Sequence, residues 1–455
     1  MADIKPQVQE NKMGYMPVPR LLFTMSLPMI ISMLVQAFYN VVDSYFVARI
    51  SEKALSAVSL AFPVQNLMIA VASGTGVGVN ALLSRSLGEK NYEQADKAAN
   101  TCIILTVCSY LVFMLIGIFG SRPYFAIQTS DPEILQYGYD YMFIVCTFSI
   151  GVFMQVAMER LLQSTGRTIY NMITQSTGAI LNIIFDPILI FGLFGFPKLG
   201  MAGAAIATVF GQMVAMVLGI LFNMKRNPEI HLNLQQILHP ELPVIKAIYA
   251  VGIPSILMMA IGSVMNFGMN KILLMFTSTA TAVFGVYFKL QSMFFMPLFG
   301  LNNGMVPIVA FNYGAKNRSR IMQTIKLSCV AAFCFMLIGF TLFQVFPAQL
   351  LGLFEASDNM LSIGVKALRT ICWSYLAAGF CIVIGSVFQA LGNGTFTLIS
   401  AICRQLLVLL PSAFILAELG GLDAVWWAFP IAEVMSFAVS MFFFRKIYRE
   451  KIAVL

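Results

Sequence analysis

Charge is scarce in this sequence. Only 11% of its 455 residues are Asp, Glu, Lys or Arg, against roughly 25% in an ordinary soluble domain, too little to clothe a water-solvated surface. Histidine is rarer still: His231 and His239 are the two present, and no zinc-ligand spacing, nucleophile motif or phosphate loop accompanies them. That removes the usual sequence grounds for an enzyme. The eight cysteines (Cys102, Cys108, Cys146, Cys329, Cys334, Cys372, Cys381, Cys403) are scattered through apolar segments without metal-ligand spacing. They read as small packing residues.

What the chain has in quantity is hydrocarbon, 59% of its residues being hydrophobic. Runs long enough to cross about 30 Å of bilayer fall near 21–48, 55–83, 98–119, 137–158, 168–191 and 201–224, then near 245–276, 281–311, 321–345, 361–391, 395–416 and 424–444. They predict an all-α membrane protein of twelve transmembrane helices. No cleavable signal peptide is expected, since the first run is too long for one.

The net charge of +8 suggests nucleic acid until the cations are placed. Lys5, Lys12, Arg20, Arg85, Lys90, Lys97, Arg160, Arg167, Lys225, Arg226, Lys246, Lys316, Arg318, Arg320, Lys326 and the tail from Arg445 to Lys451 share one side of the twelve-helix scheme. Opposite them stand only Arg49, Lys53, Arg122, Lys198, Lys366 and Arg369. The bias predicts both termini in the cytoplasm of a multi-pass cell-membrane protein, with the bilayer and not nucleic acid as its partner.

The sequence also repeats itself at an offset of 226 (254 − 28). Pro28 falls on Pro254, Asn40 on Asn266, Gln65 on Gln291, Gly78 on Gly304, Gly88 on Gly314 and Gln163 on Gln389. Six helices per repeat is an even number, so the second half enters the membrane in the same direction as the first. Two six-helix bundles related by a pseudo-twofold axis along the membrane normal follow: 1–224, then a cytoplasmic linker 225–244 that offers a place for bending, then 245–455. Gly88 and Gly314 each stand where a helix has to stop before a cytoplasmic turn.

Two positions break the symmetry, for Asp43 meets Met269 and Asp186 meets Ser412. Each acid sits about five residues, near 7 Å at 1.5 Å per residue, in from the outer end of its helix. An intramembrane carboxylate is expensive unless paired, hydrated, protonated or bound to a cation, which makes it a functional candidate. Tyr39 stands one turn from Asp43 and Asn182 one turn from Asp186. Pro187 lacks an amide hydrogen and frees the carbonyl of Ile183, while Tyr141, Asp140 beside it, and Thr208 are expected in the same layer. Oxygens of this kind suit a proton or a small hard cation such as sodium at Asp43 and Asp186. Pro28 can bend the first helix, and Gly74, Gly76 and Gly78 allow close packing nearby.

The second half carries Lys271, Lys289, Arg404 and Glu433 within or near its apolar runs. A pairing of Arg404 with Glu433 is open at this level, and snorkelling accounts for Lys271. Glu433 aligns with Gln212 of the first half when the second is shortened by five residues, a shared position facing a central cleft. Gln36, Met258, Met265, Met269 and Phe294 are further candidates for lining it.

The strings QAFYNVVDSYFVA (36–48), QSTGRT (163–168), NIIFDPILIF (182–191), GAAIATVFGQ (203–212) and FNYGAKN (311–317) together make the chain resemble the multidrug and toxic compound extrusion family. The resemblance is to the bacterial and archaeal branch with its acids in the first bundle. It implies a cation site at Asp43, Asp186, Asn182, Tyr141 and Thr208, supported by Tyr39, Asn40, Pro28 and Pro187. It further implies export of amphipathic organic cations in exchange for protons or sodium by alternating access, with no cofactor and one chain sufficient. FGMNKI (267–272) lacks the acid that another branch places there. A lipid-linked oligosaccharide flippase, or more remotely an intramembrane aspartyl enzyme, would share parts of this pattern.

Overall fold

A computed structural model describes residues 10–354 and 356–455; Lys5 lies outside them. A short helix α1 (Lys12–Tyr15) precedes the first half, built from α2 (Val18–Ala48), α3 (Glu52–Gly88), α4 (Tyr92–Leu115), α5 (Ser121–Gln128), α6 (Pro132–Thr147), α7 (Ile150–Ser164), α8 (Thr168–Phe191) and α9 (Met201–Arg226). After α10 (Leu234–Leu238) the second half comprises α11 (Leu242–Leu274), α12 (Ser278–Gly314), α13 (Arg318–Val345), α14 (Pro347–Gly352), α15 (Asp358–Ile371), α16 (Tyr375–Ala390), α17 (Gly394–Ile402), α18 (Leu410–Val425) and α19 (Ala428–Ile447). Among the described residues eleven helices are long and apolar enough to span a membrane. The pair α6 and α7, bent by 45°, makes a twelfth, so the fourth span is broken where the sequence predicts one continuous helix.

The halves meet through backbone as much as through side chains. A Cβ at Gly78 would lie 2.0 Å from the Ile248 carbonyl oxygen, at Gly88 1.9 Å from that of Phe311, and at Gly314 2.1 Å from that of Arg85. Only glycine permits such contact. Helices α3 and α12 do end at Gly88 and Gly314, but the left-handed conformation just beyond them is taken by Lys90 (φ 57°) and Lys316 (φ 56°), and the two glycines serve the interface as well. Gly74 likewise packs on Ile256 of α11 rather than on α2, and Gly76 makes room for the stem of Arg160.

All these contacts lie toward the end that carries the termini. One apolar core runs unbroken there from Leu21, Met25, Val79 and Leu83 of the first half into Ile248, Met305 and Val309 of the second. A separate core around Val47, Ala61, Met68, Tyr141, Phe153 and Ile190 fills the far end of the first half alone. The two halves are thus fused at one end and packed independently at the other.

The terminal end is also strapped. Asn11 donates to the Thr165 carbonyl (3.1 Å) and to the Glu229 carboxylate (2.7 and 2.9 Å). Arg320 donates to the carbonyls of Met13 (3.0 Å) and Met16 (2.7 Å). The stretch expected to be a bendable tether is pinned as well, because the Asp96 carboxylate accepts from the His231 backbone (2.7 Å) and the Asn100 amide donates to the His231 carbonyl (2.9 Å). At the opposite end Lys53 bridges Asp131 and Glu133, each at 2.9 Å.

Candidate cation site

Asp43 and Asp186 come from helices far apart in sequence, yet their carboxyl groups lie within hydrogen-bonding reach of each other. Asp186 is fully buried, and Asp43 is half-buried. One oxygen of each, Oδ1, is enclosed without a hydrogen-bond donor. Two carboxylates within such reach repel unless a proton or a cation is shared between them.

The surrounding groups are arranged by helical spacing. Asn182, one turn before Asp186 on α8, satisfies both ends of its amide when Nδ2 donates to Asp186 Oδ2 (2.9 Å) and Oδ1 accepts from the Thr208 backbone N–H (3.0 Å) and hydroxyl (3.1 Å). Thr208 is presented from α9, whose Gly211 approaches Gly178 of α8 so closely that a Cβ would lie 2.5 Å from its carbonyl oxygen. Tyr39, one turn before Asp43 on α2, extends toward the Thr208 hydroxyl in the layer that holds both acids and Tyr141. The buried Tyr141 hydroxyl accepts from Gln65 Nε2 at 2.9 Å. Hydroxyl, amide and carboxylate oxygens converging in this way can bind a proton or a hard cation. Pro187 sits within α8 and Pro28, buried, within α2.

Other expected members lie elsewhere. Asp140 accepts from Gln136 (2.8 Å) on the exposed side of α6, because neighbouring residues on a helix point about 100° apart. Asn40 is exposed, its carbonyl taking the Ser44 hydroxyl at 2.9 Å. Of the cleft candidates, Met269 is fully buried, Met265 nearly so, and the Phe294 ring packs edge-on against Phe343 at 5.5 Å. These three fill the second-half core rather than line an opening. Met258 is half-buried. Gln36 accepts from Gln175 at 3.4 Å, and Gln212 keeps an enclosed Oε1 without a partner.

Two residues of consequence escaped the sequence reading. In the sequence pattern Gln65 is a repeat position and Arg160 a basic flank. Arg160 bonds Gln163 (2.9 Å) and, across the seam, Asn303 of α12 (3.1 Å). Its signal was available in the repeat, where Arg160 meets Ser386.

Two repeated halves of membrane-spanning helices, with a buried carboxylate pair in one of them, are an arrangement known from membrane transporters. The MatE family model matches residues 28–188 and 254–415, and the chain belongs to this multidrug and toxic compound extrusion family. It is 28% identical over 418 residues to the multidrug export protein MepA of Staphylococcus haemolyticus, covering 92% of this chain and 91% of that one. To the FAD transporter of Shewanella oneidensis it is 26% identical over 429 residues, covering 92% of each. Its fold matches the outward-facing conformation of a multidrug resistance MATE family transporter with a TM-score of 0.89 at 24% identity, over 98% of both chains.

Proposed function

We propose that this protein exports amphipathic organic cations across the cytoplasmic membrane, both termini inside, by exchanging them for protons or sodium ions at Asp43 and Asp186. The observation that carries the reading is the contact between these two carboxyl groups, ringed by Asn182, Thr208, Tyr39 and Tyr141, in the half whose counterpart holds Met269 and Ser412. Fusion of the halves at the terminal end supports an arrangement open to the other side, from which an ion reaches the pair. Its entry cancels charge in the first bundle, weakens drug binding and favours return to the inward state. By linkage the drug weakens ion binding by the same factor. One chain contains both halves of the pathway and works as a monomer.

The test is efflux from proteoliposomes under an imposed proton gradient or an imposed sodium gradient, one at a time. Asp43→Asn is expected to fold and insert but to lose gradient-driven efflux; full transport by this variant overturns the assignment. The likeness to an FAD transporter favours a second reading in which the cargo is an aromatic dinucleotide. FAD trapped in the same vesicles decides between the two.

A further inference from the structure

The second half holds a buried acid of its own. Glu433 of α19 is almost fully enclosed, and its Oε2 lies 3.3 Å from Arg404 Nη1. Its Oε1 is buried with no donor. Arg404 stands on a π-helical turn (Cys403–Leu409) between α17 and α18, a distortion often found at functional sites, and its side chain remains one-third exposed. An ion pair built for stability in a low-dielectric interior is short, bidentate and satisfied at every oxygen. This one has a single long bond and a spare acceptor.

An aromatic cluster begins one turn along α19 from Glu433. Phe429, one turn before Glu433 and so on the same face of α19, lies 5.9 Å from Tyr287 and 6.0 Å from Phe284 between ring centroids. Tyr287 and Phe284 are buried in the core against which Phe429 packs. A buried carboxylate one turn from an aromatic ring can receive an organic ammonium group whose apolar body meets that ring. At the aligned position of the first half Gln212 offers a similarly unpartnered oxygen without the charge.

We infer that Glu433 is the binding site for the protonated amine of an aromatic substrate, and that Arg404 is a tethered cation holding the place until the substrate arrives. The inference rests on the proposed export of organic cations and names the substrate class: amines that donate N–H to Glu433 while their apolar body meets Phe429. Exchange of a guanidinium for an ammonium leaves the buried charge unchanged, and Arg404, already one-third exposed, swings outward.

Binding to the purified full-length protein tests this, with the fluorescence of dansylcadaverine and of its neutral N-acetyl derivative as readout. Glu433→Gln is expected to weaken dansylcadaverine by at least about tenfold while changing the acetylated probe less than about twofold. Arg404→Gln, which removes the competitor, is expected to tighten the amine several-fold. Equal loss for both probes, or no loss for either, in Glu433→Gln overturns the site. Should the single variants fail to fold, the charge-free double variant Arg404→Gln with Glu433→Gln replaces them; it is expected to lose the preference for the amine, and retention of that preference overturns the site equally. Failure of the coupling proposal shows separately, as wild-type vesicles that ignore both gradients.

Discussion

Thr208 holds the Asn182 amide oxygen through both its hydroxyl and its backbone N–H, so the direction in which Asn182 faces Asp186 is set from α9. Thr208→Val keeps the shape and removes the hydroxyl. It is expected to weaken cation binding by about 1 to 2 kcal/mol, roughly 5- to 30-fold, read as a shift in the ion concentration that half-saturates efflux, with thermal unfolding changed little. The members of this site were legible wherever helical spacing decided them: Tyr39 with Asp43, and Asn182 with Asp186, are each four apart. Asp140 was misplaced because adjacency in sequence is not adjacency on a helix. Gln65 was missed because only the packing of α3 against α6 brings it to the Tyr141 hydroxyl.

Helices in this protein are positioned by where they lack a side chain. Gly314→Ala puts a methyl group 2.1 Å from the Arg85 carbonyl oxygen, backbone that cannot rotate away, and overpacking of that kind costs about 1 to 3 kcal/mol. The expected outcome is a lower unfolding temperature together with greater accessibility of the terminal-end seam to a thiol reagent at an introduced cysteine. Gly285→Ala on the same helix α12, where nothing lies within 4 Å, serves as the control and is expected to leave both unchanged. The twelve spans and the repeat were readable because length and hydropathy report on lipid directly. The break between α6 and α7, and the use of Gly88 for contact as well as termination, were not readable. Both depend on what lies across the gap, and a glycine in sequence looks the same whether it turns the chain or admits a neighbour.

For the molecule as a whole, the proposed alternating access requires that the terminal-end seam part, and more than apolar packing holds it. Residues 11 to 16 cross it: Asn11 is tied to Thr165 and Glu229 on the first-half side, and Met13 and Met16 to Asn312 and Arg320 of the second. Arg320 supplies charge-assisted bonds to two carbonyls and also bonds Asn312 Oδ1 at 3.0 Å, so it fixes the strap and the end of α12 together. Arg320→Ala leaves the Met16 carbonyl without this donor and loosens the strap, while α8 and α9, which hold Asp186 and Thr208, lose no partner. Hydrogen exchange on the intact protein distinguishes the two regions. The amides of Gly14 and Met16, now donating to Asn11 and Lys12, are expected to exchange faster in the variant, by about tenfold or more for a lost charged hydrogen bond, with protection around Asp186 unaltered. Equal acceleration in both regions would mean that Arg320 stabilises the fold at large, and that the strap has no separate part in keeping the terminal end shut.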